Sequence, residues 1–129
     1  MIRLCRNPIV VHIAKNAGLD FIMTDMEHWG YSMELISDIF MMARSVQLDA
    51  FVKLAKGYVS RVLNLGASGV MVLMIETVEQ AKQLVKLSKY PPLGGRGLTS
   101  SGEHTGYQSR QDISEMMDEV NRETLLLLR

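Results

Sequence analysis

The sequence predicts an α/β fold with parallel strands, on three observations. Short apolar, strand-like runs alternate with helical patterns four times along the chain, and a long loop, a helix and a last strand follow. The run Gly69-Val70-Met71-Val72-Leu73-Met74-Ile75 is nearly all apolar, which is the pattern of a strand buried on both faces. Cap and turn residues stand at the joints between these runs, so that each helix has a defined start or stop. Parallel strands joined through helices require right-handed crossovers.

Taken in order, Ile2-Arg3-Leu4 is expected as a short first strand. Asn7-Pro8 has the order of an N-cap followed by proline at the first helical position, and Gly18 is placed as a stop, which predicts a helix over 8–17. Leu19 to Thr24 reads as the second strand. Ser32 caps a helix to about Val46, with Leu35, Ile36, Ile39, Phe40, Ala43 and Val46 on one face. Ala50 to Leu54 is the third strand, and Tyr58 to Leu65 a short helix closed by Gly66. The apolar run 69–75 is the fourth strand. Thr77-Val78-Glu79-Gln80 matches a capping box and opens a helix expected to bury Val78, Ala81, Leu84, Val85 and Leu87 before Tyr90-Pro91-Pro92. Residues 93–110 form a Gly-, Ser- and Thr-rich loop, 112–122 a helix, and Leu125-Leu126-Leu127-Leu128 a fifth strand.

The 129 residues fit a single domain, 1–129, and fall short of the roughly 250 that a closed α/β barrel needs. Lys+Arg and Asp+Glu both number 14, so no net field recruits nucleic acid or an anionic membrane. The lone Cys5 cannot form an intramolecular disulfide, and no apolar run approaches the roughly 18 residues of a membrane span. These features point to a soluble, cytoplasmic setting. The ten methionines, Met41, Met42, Met71 and Met74 among them, are expected as core filling.

Chemistry concentrates in Asp25-Met26-Glu27-His28-Trp29-Gly30, directly after a strand, where α/β proteins place reactive groups. An imidazole there can act as general base near neutral pH, or merely pair with Glu27 and support the next helix. In a continuing strand Asp25 and Glu27 would share one side and Met26 and His28 the other, so convergence requires the chain to turn. Lys53, near the end of the third strand, can hold a substrate carboxylate or lie solvated. Glu76 closes the fourth strand or serves as a helix-start acid. Gly94-Gly95-Arg96-Gly97 combines flexible amides with a guanidinium, an anion cradle or an ordinary loop. His104 is expected at the surface and His12 in a structural place on the first helix.

Four segments together resemble the HpcH/HpaI aldolase/citrate lyase family, which includes 2-dehydro-3-deoxyglucarate aldolase: Asn16-Ala17-Gly18-Leu19-Asp20-Phe21, Asp25-Met26-Glu27-His28, Leu65 through Val72, and Tyr90-Pro91-Pro92-Leu93-Gly94-Gly95-Arg96-Gly97. The resemblance implies a partial (β/α)8 TIM barrel of about five strands; an open five-stranded parallel sheet is the alternative. It implies a carbon-carbon lyase of 2-oxo acids that yields pyruvate and an aldehyde with the help of Mg²⁺ or Mn²⁺. His28 takes the acid/base position, supported by Asp25 and Glu27. Lys53 stands where the family has a carboxylate-binding arginine, keeping the charge but losing the two-pronged geometry, and Arg96 is a second candidate carboxylate contact. The family's metal ligands follow its fifth and sixth strands, so none is expected within this chain. A homo-oligomer is expected. Two further hypotheses remain: a non-catalytic half-barrel assembly module, and a phosphate binder built on Gly94 to Gly97.

Overall fold

The structure, a computed structural model, describes residues 1–129. Its elements run α1 (Val10–Asn16), β1 (Phe21–Asp25), α2 (Met33–Ser45), β2 (Asp49–Leu54), α3 (Val59–Asn64), β3 (Gly69–Val72), α4 (Val78–Ser88), α5 (Ile113–Glu123) and β4 (Leu125–Leu128), with short 3-10 turns at Lys56–Tyr58 and Glu103–Thr105. The caps explain the boundaries. Asn7 Oδ1 accepts from the Ile9 amide at 3.0 Å and so satisfies a donor at the entry to α1. Gly18 ends that helix in the left-handed region, φ +77°, which costs glycine little. Ser32, Thr77 and Asp112 each accept from an amide three residues on, opening α2, α4 and α5.

All four strands are parallel and lie in sequence order, β1-β2-β3-β4. The register pairs Met23 with Phe51, Phe51 with Gly69 and Gly69 with Leu125; two residues further along, it pairs Asp25 with Lys53, Lys53 with Met71 and Met71 with Leu127. Residues paired in this way share one face of the sheet, and their chain neighbours share the other. The second face carries Ile22, Ala50, Val52, Leu54, Val70 and Val72, which form one buried core with Val11, Ile36, Ile39, Phe40, Val59, Val62 and Leu84 of α1 to α4. Sequential order with α1 to α4 packed on one face is the geometry of a segment of a (β/α)8 barrel, and the first face is its concave side. A doubly wound sheet would reverse its strand order and cover both faces.

Several elements depart from expectation. The first strand is reduced to one parallel bridge from Ile2 to Thr24, its amide donating to the Met23 carbonyl at 2.6 Å. The fourth stops at Val72, because Met74 turns into the left-handed region at φ +57°. On α4 only Leu84 of the expected face is buried; Val78, Val85 and Leu87 remain exposed. Met41 and Met74 are exposed rather than core, while Met42 packs against the core. Residues 93–110 do form a connection without strands, and its ends are tied down. Lys89 Nζ donates to the carbonyls of Asn121 and Thr124 at 2.5 and 2.6 Å, and the Asn121 side chain bonds both backbone groups of Tyr90. Burial lowers the pKa of Lys89, whose partners are carbonyls at the C-terminal end of α5.

Gly69 faces β4 so closely that an added β-carbon would overlap the Leu125 carbonyl and stand 2.9 Å from the Phe51 ring. Gly69→Ala is therefore expected to destabilise the fold by about 1–3 kcal/mol, read as a lower urea midpoint. An unchanged midpoint would mean that the β3–β4 pairing is loose.

Candidate functional site

At the C-terminal ends of β1 and β2 four ionisable side chains meet. Strand β1 ends at Asp25, and residues 26–28 turn instead of extending it. The turn is held by Asp25 itself: its Oδ1 accepts from the amides of Glu27 at 3.1 Å and His28 at 3.2 Å. The Met26 amide still reaches the Lys53 carbonyl at 2.8 Å, which keeps the turn against β2. This folding-back is what lets Asp25, Glu27 and His28 face one point.

That point is occupied by the Lys53 ammonium. Its Nζ lies 2.7 Å from Glu27 Oε2, 3.5 Å from Asp25 Oδ2 and 3.0 Å from His28 Nδ1. The pairing with Glu27 is close in distance but off the alignment of a hydrogen bond. Asp25 is 1% exposed and Lys53 8%, whereas the His28 side chain is 61% exposed. The imidazole therefore stands at the rim, open to a small molecule, with the charges beneath it. Its Nδ1 can accept from Lys53 when the ring proton is on Nε2, or donate to Glu27 at 3.2 Å when it is on Nδ1. Burial would raise the Asp25 carboxyl. The amides of His28 and Glu27 together with the Lys53 charge outweigh it and hold the group below its ordinary 3.8.

Asp25, Glu27 and His28 offer one ligand atom each within 4.8 Å of one another, which by donor type suits a divalent cation. They do not fit a resident metal as they stand, because the Lys53 ammonium already lies 2.7 to 3.5 Å from the nearest carboxylate or imidazole atom of each of the three.

The remaining flagged residues lie elsewhere. Arg96 is 4% exposed and sits at the opposite end of the sheet, its Nε donating to Asn64 Oδ1 at 2.8 Å and its guanidinium stacked 4.6 Å from the centre of the Tyr90 ring. It lines a cavity with Asp49 and Ser68, at or just before the starts of β2 and β3; Lys53 is four residues along β2, about 13 Å at ~3.3 Å per residue. One small 2-oxo acid cannot touch both. The glycines beside Arg96 form no amide cradle: the amides of Gly94, Gly95 and Arg96 donate to the carbonyls of Tyr90, Lys86 and Lys89. A β-carbon at Gly94 would overlap the Lys89 carbonyl, so close packing on α4 explains that glycine. His104 is half-buried rather than on the surface; burial lowers its pKa, and the charges of Arg96 and Arg44 add to that. Glu76 and His12 are exposed, outside the cluster.

A partial (β/α) barrel with a histidine, two carboxylates and a lysine at its strand ends defines the class. The family model for HpcH/HpaI aldolase/citrate lyase matches residues 4–129, and the chain belongs to that family. It is 32% identical over 133 residues to a 4-hydroxy-4-methyl-2-oxoglutarate aldolase of Hapsidospora irregularis, covering 98% of this chain and 49% of the relative. It is 28% identical over 126 residues to a 2-keto-3-deoxy-L-rhamnonate aldolase of Salmonella gallinarum, covering 93% and 45%. The crystal structure of an HpcH/HpaI aldolase from Desulfitobacterium hafniense superimposes with a TM-score of 0.92 at 31% identity, over 99% of this chain and 50% of that one. The chain thus spans about half the length of these relatives. No helix is long and apolar enough to cross a membrane.

Removing Asp25 deprives the buried ammonium of one carboxylate and the turn of its acceptor. Asp25→Ala is expected to cost about 3 kcal/mol at pH 7, measured by denaturant unfolding, with Lys53→Met in the same chain recovering part of the loss. Because the folded carboxyl titrates below the unfolded value of 3.8, its contribution is present above that pH and lost as pH falls through the folded value. Asp25→Asn should flatten this acid limb of the stability profile; a profile unaltered by the change would show that the carboxyl is not depressed.

Proposed function

We propose that this chain carries the acid/base and carboxylate-binding part of a 2-oxo acid aldolase, cleaving a 4-hydroxy-2-oxo acid such as a 2-dehydro-3-deoxy sugar acid to pyruvate and an aldehyde. The observation that carries the proposal is the convergence of Asp25, Glu27 and exposed His28 on Lys53 at the strand ends. The family membership supports the reaction class.

In this scheme His28 takes the proton from the substrate's 4-hydroxyl. The C3–C4 bond breaks, the aldehyde leaves, and the bonding pair moves toward the 2-oxo group; a proton returned to C3 completes pyruvate. Lys53 attracts the substrate carboxylate and stabilises the negative charge that develops beside it. Asp25 and Glu27 are positioning residues: Asp25 shapes the turn that presents His28, and both hold the ammonium. The Mg²⁺ or Mn²⁺ expected from the resemblance belongs to ligands other than this group.

Glu27 competes with an incoming carboxylate for Lys53, so the two residues should act in opposite directions. By ligand-observed NMR, Glu27→Gln is expected to tighten pyruvate binding several-fold, and Lys53→Met to weaken it by at least about tenfold. Exchange of pyruvate methyl protons in heavy water, with Mg²⁺ or Mn²⁺ and again with chelator, should fall by about 10²-fold or more in His28→Ala. Pyruvate binding indifferent to both Lys53 and Glu27 would sink the assignment.

One observation favours a second reading, a non-catalytic assembly module. On the concave face Phe21 is 54% and Leu125 47% exposed, an apolar surface suited to a second copy. Concentration-dependent dimerisation in sedimentation, without pyruvate binding, would select it.

A further inference from the structure

At the end of the sheet opposite Lys53, the starts of β2 and β3, the end of α2, the loop 93–110 and α5 enclose a cavity of about 650 Å³. That size suits a small organic ligand. Its walls hold a guanidinium that the protein serves incompletely. Arg96 Nη2 is buried without a well-aligned hydrogen-bond partner, the Tyr90 hydroxyl being its polar neighbour, whereas the His104 ring is met by the Thr99 and Asn64 backbone. Buried polar groups are nearly always paired, and an exception in a cavity wall marks a place for a water or a ligand.

The charge at this spot selects the ligand. Arg96, almost completely buried, forms no ion pair with any carboxylate; its contacts are the Asn64 amide oxygen and the Tyr90 ring. Arg44 lies beside it, Nη2 donating to the His104 carbonyl at 2.8 Å. Three carboxylates also line the cavity, but Glu119 pairs with Arg110 at 3.5 Å, and neither Asp49 nor Glu123 pairs with Arg96 or Arg44. A buried guanidinium without an anion is costly, and a phosphate or carboxylate matches its planar set of donors. Phe40, Leu48, Leu63 and Met116 supply apolar wall for the rest of such a molecule.

We propose that this cavity is a second ligand site, separate from the candidate active site, in which Arg96 and Arg44 receive the oxyanion of a small phosphorylated or carboxylated metabolite. Arg44, at the exposed end of α2, supplies the second guanidinium, and the His104 carbonyl holds it in place. Conservation of structure, rather than chemistry, is the usual task of this end of a barrel. Occupancy therefore acts by stabilising the folded chain through mass action.

The test uses inorganic phosphate and malonate as probes, against chloride at equal ionic strength and pH 7, with thermal unfolding as the readout. A saturable rise in Tm of a few degrees is expected. Arg96→Gln should abolish it. Since that residue is buried and its loss can disturb the fold, the exposed Arg44→Gln is the second variant, expected to weaken the apparent affinity roughly threefold or more. Lys53→Met should leave the phosphate response intact, which separates this site from the carboxylate-binding one at the other end of the sheet. A larger effect of phosphate assigns a phosphate-bearing ligand and a larger effect of malonate a carboxylate. Absence of saturation, a response that survives both arginine changes, or one that disappears with Lys53→Met would overturn the proposal.

Discussion

The buried ammonium of Lys53 is the constraint around which the strand ends are organised. A cation with 8% exposure in a sheet interior is tolerated only with anionic partners close by, and Asp25 and Glu27 provide them. Asp25 sits directly across from Lys53 in the β1–β2 register, so one partner is delivered by strand pairing alone. The second comes from the turn, which exists because the other oxygen of Asp25 accepts two amides. One carboxylate thus balances the charge and bends the chain, and the bend brings Glu27 and His28 over the same ammonium.

How much of this was legible in the sequence follows from what each kind of signal encodes. Caps and stops are local chemistry, and Asn7, Gly18, Ser32, Thr77 and Asp112 all act where the pattern places them. Burial is a tertiary property: Val78, Val85 and Leu87 have helical spacing, yet α4 meets the core through Leu84. The apolar run 69–75 is longer than the strand it forms, because hydrophobicity does not reveal that Met74 leaves the extended region. At the site, alternation along a strand correctly showed that Asp25, Glu27 and His28 converge only if the chain turns. That Asp25 itself makes the turn is an Asx signal present in the sequence. Arg96 and Lys53 look alike in the sequence, both being cations near glycine or a strand end. Only the path of the loop back to Asn64 and Tyr90 places Arg96 at the opposite end.

The two ends of the sheet therefore carry different chemistry by construction. Where the strands finish, polar side chains project from a short turn, and a charge cluster forms around one lysine. Where they begin, the loop 93–110 covers the helix ends, and the polar groups there mainly close the fold: the Gly95 amide on the Lys86 carbonyl of α4, the Gly94 amide on Tyr90, Lys89 on the end of α5, Arg44 on the loop. The exception, Arg96 Nη2 without a well-aligned partner, stands out against that pattern.

Lysine at position 53 has a consequence that an arginine would not. A guanidinium presents its donors in a plane and pairs best with one carboxylate edge-on, whereas an ammonium is a compact charge with three donors in separate directions. The partners of Lys53 lie in separate directions, two oxygens from different side chains and one imidazole nitrogen, and a compact charge suits them. An arginine committed to a bidentate carboxylate pair would leave His28 or Glu27 without that contact. The lysine instead couples the charge state of the pocket to the tautomer of His28, because the same Nδ1 faces a permanent donor in Lys53 and an acceptor in Glu27. A ligand carboxylate that draws Lys53 away from the imidazole would favour the tautomer with its proton on Nδ1, directed at Glu27. In the proposed reaction, binding and proton placement would thereby be linked through a single side chain.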